Sequence, residues 1–142
     1  METLAINELT ELIIACAIAV HDALGPGLLE SIYQDCLRIE LMSRGLTVEC
    51  ERHVPILYKG QRVRADLRID LIVNGRVIVE IKAVERLHPV FQAQVISYLK
   101  LTGCEAGLLF NFNALSIRAG MKRLDHPDLY KQKNGRIERT TK

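Results

Sequence analysis

The sequence predicts an α/β fold, and three observations predict it. Two segments near the start carry apolar residues at helical spacing. A hairpin signal at Asn74-Gly75 joins two apolar-rich strands. A further helical segment then leads to a continuous apolar run, Ala106 to Phe112, which suits a buried strand.

The first helix is expected from about Asn7 to Leu24, where Ile6, Leu9, Ile13, Cys16, Val20 and Leu24 make one stripe, and Gly25-Pro26-Gly27 ends it. The second, about Leu28 to Arg44, turns Ile32, Leu37 and Leu41 inward and stops at Gly45. Glu30 lies in its first turn, where a carboxylate complements the helix dipole, and shares a face with Tyr33. Residues 47–58 read as a strand in which Pro55 marks an edge or a bend. Lys59-Gly60 turns the chain into the hairpin. After the hairpin come a short loop, Ala83 to Leu87, and a third helix from about Pro89 to Thr102, closed by Gly103. Gln94 and Tyr98, four apart, share a face of it. Ser116 to Leu124 is expected as a last edge strand with Arg118, Lys122 and Arg123 outward.

The hairpin carries the chemistry. On a strand Glu80 and Lys82 project from one face. A three-residue loop with Gly75 in the left-handed position pairs Ile72 with Arg76 and sets Leu67, Ile69 and Leu71 against Ile81, Val79 and Val77 as an unbroken apolar face. The other face then gathers Asp66, Arg68 and Asp70 with Lys82, Glu80 and Ile78. A two-residue loop would mix the faces. Such a set is either a surface ladder of ion pairs or a site where carboxylates hold Mg2+ and a lysine stabilises charge at a phosphate. Asp66 and Asp70 both lie diagonally from Glu80 in this register, so spacing alone does not choose between them.

Asp70, nine intervening residues and Glu80-Ile81-Lys82 resemble the D…(D/E)xK signature of the PD-(D/E)XK nuclease superfamily. Gly27-Leu-Leu-Glu30-Ser-Ile-Tyr33 is similar to the signature of the bacterial GxxExxY family within it, and Gln94-Val-Ile-Ser-Tyr98 resembles the QxxxY motif of RecB-type nucleases. The likeness spans roughly residues 6 to 124. It implies a restriction-endonuclease-like core, a mixed central sheet with helices on both faces. It implies metal-dependent hydrolysis of phosphodiester bonds in nucleic acid, DNA favoured, with Mg2+ or Mn2+ as cofactor. Arg68-Ile-Asp70-Leu71 fits the family's R-x-D-L segment, which selects Asp70. The resemblance makes Asp70 and Glu80 metal ligands, with the Ile81 carbonyl and Glu30 beside them. Lys82 stabilises the nucleophile, Gln94 orients the water or Lys82, and Arg68, Tyr33 and Tyr98 are candidates for touching nucleic acid. Tyr98 is equally expected as a half-buried residue covering the sheet, and His21 as structural. Phe91 stands where many relatives carry a histidine.

Composition frames these readings. A chain of 142 residues, 49% hydrophobic and 25% charged, suits one ordinary globular core. We expect a domain over residues 1–126 and a basic tail over 127–142. Residues 1–46 hold two basic and seven acidic residues, and 115–142 hold eight and three, so a net charge of +2 conceals a basic end suited to a polyanion. The four cysteines lack CxxC or zinc spacing and read as reduced. Leu12 to Val20 is too short to span a bilayer, and Glu2, Glu8 and Glu11 argue against a signal peptide, so a cytoplasmic location without membrane contact is expected. There are no glycine-rich phosphate loops and no nucleophile elbows, which excludes nucleotide-binding and serine-hydrolase classes that depend on them. Two rivals to the nuclease are a nucleic-acid-binding module that no longer cleaves, and a protein-interaction scaffold, as a homodimer or an accessory subunit of a larger complex.

Overall fold

A computed structural model describes residues 3–129. The elements are α1 (Ile6–Leu24), α2 (Glu30–Ser43), β1 (Val48–Tyr58), β2 (Gln61–Val73), β3 (Val77–Lys82), α3 (Pro89–Thr102), β4 (Ala106–Asn111) and β5 (Met121–Asp125). The strands form one sheet in chain order, β1-β2-β3-β4-β5. All neighbours are antiparallel except β3 and β4, which run parallel because α3 carries the chain back between them. The fold is therefore a mixed α/β sheet, consistent with a restriction-endonuclease-like core.

Two cores flank the sheet. On one side Leu9, Ile13, Cys16 and Val20 of α1 and Tyr33, Leu37 and Leu41 of α2 pack on Leu71, Val73, Val77, Val79, Ile81, Leu108 and Phe110. On the other, Val95, Tyr98 and Leu99 of α3 cover Ile69, Ile72 and Ile78. Gly107 lets α3 approach β4 closely, since a Cβ there would lie 2.5 Å from Val95 Cγ1.

Two expectations need correction. Ile32 and Leu24 are exposed; Tyr33, Leu37 and Leu41, four apart, take the inward stripe of α2, and Ile32 stands beside it. The last strand begins at Met121 and not at Ser116. Residues 116–120 form turns in which Ile117 is buried and Gly120 N–H donates to the Ser116 and Ile117 carbonyls. The expected tail lies outside the described residues from residue 130 on. Residues 127–129 form a helical turn whose Asp128 and Leu129 amides donate to His126 Nδ1.

The hairpin ladder also differs. Val73 pairs with Val77, Ile72 with Ile78 and Leu71 with Val79, so the loop is Asn74-Gly75-Arg76 and the register is offset by two from the expected one. Asn74 and Gly75 both take positive φ, and Asn74 is tied to Thr47 through its amide N–H and its side-chain oxygen. Arg76 leaves the ladder because distant partners hold it: Nε donates to Glu105 Oε1 at 2.6 Å and a guanidinium nitrogen donates to the Leu4 carbonyl at 2.6 Å.

Gly120 fixes the β4–β5 corner, since its carbonyl accepts the Asn111 N–H at 2.8 Å. A Cβ at Gly120 would lie 2.7 Å from the Asn111 oxygen and 2.5 Å from Ala114 Cβ. Gly120→Ala is expected to cost about 1–3 kcal/mol through this overpacking, read as a lowered thermal midpoint.

Candidate functional site

The shift of two residues brings the acidic pair together. With Leu71 opposite Val79, Asp70 comes opposite Glu80. The backbone ladder does not continue there. Asp70 N–H donates to Glu80 Oε1 at 3.0 Å, and Ile81 N–H donates to Asp70 Oδ2 at 2.9 Å. The two side chains occupy the place of the ladder where β2 parts from β3.

The β1 side shows a matching irregularity. Cys50 pairs with Leu71 and Arg52 with Ile69, leaving Glu51, at φ 49°, unpaired opposite Asp70. The alternation of β2 breaks at the same point. Leu67 and Ile69 pack into the core under α3, whereas Leu71 and Val73 face α1 and α2, so the unbroken apolar face expected from Leu67 to Leu71 does not exist. A local irregularity of this kind re-aims a side chain, and here that side chain is Asp70.

Asp66 is not part of the group. It is exposed and pairs with Arg62 at 3.1 Å, not with Lys82, because the strands have already separated there. Arg68 lies near enough to favour the charged form of Asp70 and pairs loosely with Glu51 at 3.6 Å.

Burial, then the charge of Asp70, push Glu80 up from 4.5 to about 8; the Asp70 amide and Lys82 act in the opposite direction. Burial also raises Asp70, against the Ile81 amide, Lys82 and Arg68, which favour its ionised form. Lys82 therefore acts on both acids. Its Nζ stands 4.5 Å from the centroid of the Phe91 ring, a cation–π contact that holds the lysine from the α3 side.

Glu30 begins α2, and its Oε2 accepts the Ala83 N–H at 3.1 Å, next to Lys82. Its charge is felt at Asp70. Tyr33 is placed differently from the expectation of nucleic-acid contact: it is 0% exposed. Its hydroxyl donates to the Gly25 carbonyl at 2.6 Å and accepts the Leu28 N–H at 3.1 Å, while its ring stacks on Phe112 at 4.6 Å. Gly27 N–H donates to Asn113 Oδ1 at 3.0 Å. The Gly27–Tyr33 stretch thus sets the loop that delivers Glu30. Its tyrosine works inside the core.

Gln94 is exposed on α3, one turn after Phe91, and makes no hydrogen bond with another side chain among the described residues. Tyr98 is nearly buried; burial, then the charges of Glu80 and Asp70, raise its phenol. It both fills the core and lies within electrostatic reach of the acids. His21 Nε2–H donates to the Ala114 carbonyl at 2.8 Å, the structural role expected of it.

Asn111 escaped sequence reasoning. Buried at the end of β4, it accepts the Val84 N–H through Oδ1 at 3.1 Å and donates to the Val84 carbonyl through Nδ2 at 2.9 Å. With Phe112 N–H donating to the Lys82 carbonyl at 2.8 Å, it anchors the segment that leaves the site. An asparagine ending an apolar run was the available signal. The support that Phe91 gives Lys82 was likewise missed.

Residues 7–124 match the model of the PD-(D/E)XK nuclease superfamily. The chain belongs to that superfamily. Neither curated proteins nor solved structures gave a match. In this PD-(D/E)XK domain Glu80-Ile81-Lys82, which has the (D/E)XK form, ends β3, and Asp70 meets it from β2. No helix among the described residues is long and apolar enough to cross a membrane.

The donor set fits a hard divalent cation. Two mutually repelling, partly desolvated carboxylates gain from an intervening positive charge, and Mg2+ commonly takes one or two carboxylates with water and phosphate completing its shell. Among the described residues no three acidic, histidine or cysteine side chains converge as a metal cluster. Asp70 and Glu80 stand side by side, with Glu30 engaged at the Ala83 amide near them.

Between about pH 4.5 and 8 the folded, metal-free protein holds a proton on Glu80 that the unfolded chain releases, so its stability falls as pH rises through that window. Glu80→Gln cannot ionise. In EDTA this variant is expected to melt several degrees above wild type at about pH 8.5, with the gap closing near about pH 5, as thermal denaturation at both values checks.

Proposed function

We propose that the domain hydrolyses phosphodiester bonds in nucleic acid, DNA favoured, with Mg2+ or Mn2+ held by Asp70 and Glu80. One observation carries the reading: the carboxylates of Asp70 and Glu80 face each other at the opening between β2 and β3, with Lys82 acting on both. A salt-bridge ladder would not gather two acids there against their mutual repulsion. The cation would supply Lewis-acid polarisation of the phosphate and acidify a water.

The chain's own groups have separable tasks. Lys82, steadied by Phe91, donates to the attacking oxygen and to the charge growing on the phosphate. The Ile81 amide fixes one oxygen of Asp70, and the Asp70 amide one of Glu80, so each carboxylate presents its other oxygen in a set direction. We assign the Ile81 carbonyl as a further ligand. Glu30 acts as a positioning residue through the Ala83 amide. Gln94, one helical turn from Phe91, is assigned to orienting the water, and Tyr98 to shaping the acidic pocket. The Gly27–Tyr33 and Gln94–Tyr98 segments support placement among GxxExxY proteins and beside RecB-type nucleases. We assign the enzyme to the cytoplasm, working on DNA as a homodimer or within a larger complex.

The test is a nicking and degradation assay on supercoiled DNA, single-stranded DNA and structured RNA, with Mg2+, Mn2+ or EDTA. Wild type is expected to cleave only with metal, and Asp70→Ala and Lys82→Ala to lose about a hundredfold or more. Metal-independent activity, or equal activity in the variants, overturns the reading.

A further inference from the structure

Beyond Leu71 the strand β2 has only β1 as a ladder partner, so residues 51–58 and 61–70 leave the sheet as a two-stranded ribbon. Residues 57–66 are all exposed. At about 3.3 Å per residue, Arg62 lies up to about 26 Å along the strand from Asp70. Asp66 and Arg68 flank Leu67, which packs toward α3, and so face away from it; a register shift between Pro55 and Leu57 then separates them from Arg62 at the tip.

The charge of the ribbon is lopsided. Beyond its base, where Glu49, Glu51 and Asp70 lie, the ribbon over residues 52–68 holds Arg52, Lys59, Arg62, Arg64 and Arg68 against Asp66 alone. Arg62 pairs with Asp66 and Arg68 with Glu51, both solvent-exposed contacts that a phosphate can replace at little cost. Arg64 and Lys59 have no ion-pair partner among the described residues. The tip exposes Leu57 at 63% and Tyr58 at 67%, apolar surface that pairs with nothing in this chain's core.

We infer that this ribbon enters the major groove of B-form DNA, with its arginines on the flanking phosphates, and so makes duplex DNA the substrate presented to Asp70 and Glu80. The B-form major groove, about 12 Å wide, admits a two-stranded β-ribbon, whereas the major groove of A-form RNA is too deep and narrow for side chains to read. Phosphate contacts from the arginines set position along the duplex. The inference rests on the nuclease reading, but its test does not need cleavage.

Binding of labelled duplex DNA, single-stranded DNA and double-stranded RNA of equal length is measured by fluorescence anisotropy in EDTA across a salt series. Wild type is expected to bind duplex DNA most tightly. R62A/R64A should weaken that binding about tenfold or more and reduce the log–log salt slope by about 2, while R62K/R64K largely restores both. Unchanged affinity and slope in R62A/R64A, or equal binding of all three nucleic acids, overturns the inference. A wild-type chain that cleaves while R62A/R64A binds normally leaves the nuclease reading intact and removes the ribbon's role. Ribbon-dependent binding without any cleavage does the reverse.

Discussion

Two hydrogen bonds hold the place where the sheet opens: Asp70 N–H to Glu80 and Ile81 N–H to Asp70. Each satisfies a backbone amide that lost its ladder partner when β2 diverged from β3, and each fixes one oxygen of an acid. A hydrogen bond contributes about 0.5–1.5 kcal/mol, and about 1.5–3 where the acceptor is ionised, enough to sustain the irregular strand at Asp70. The same bonds keep two acids side by side, where Glu80 holds a proton in the metal-free protein until a positive charge offsets the repulsion. The geometry of the opening and the demand for a positive charge therefore have one origin.

Everything around the opening steadies it. Arg76, bound to Glu105 and Leu4, pins the far end of the hairpin. Phe91 holds Lys82 from α3, Asn111 clamps Val84, and Glu30 caps Ala83. The last three contacts come from α3, β4 and α2 and converge on the end of β3. Past the opening, β1 and β2 continue as a basic ribbon, so one strand joins the acidic pair to the surface that would carry a polyanion.

Much of this was legible in the sequence. The period of two along β3 placed Glu80 and Lys82 together, the helical stripes of Leu9–Val20 and Leu37–Leu41 located the larger core, and the apolar run at Ala106 announced the buried strand. The register was not legible. It depends on Arg76 reaching residues far away in the chain, and a local pairing rule knows only the turn. Because the offset was two and not one, the faces of β3 survived while the partner of Glu80 changed from Arg68 to Asp70. Tyr33 misled for a related reason: its place in a motif suggests contact with a ligand, yet its hydroxyl is spent on Gly25 and Leu28. Phe91 and Asn111 act only through contacts that folding creates.

The central physical claim is that Asp70 and Glu80 form one cation site. Its most direct measurement is a Mn2+ titration of the full chain, followed by electron paramagnetic resonance, for wild type, Asp70→Asn and Glu80→Gln. One bound ion per chain in wild type, weakened about tenfold or more in each variant with the fold retained, is the expected result. Variants that bind Mn2+ as wild type does, or a wild type that binds none, would contradict it.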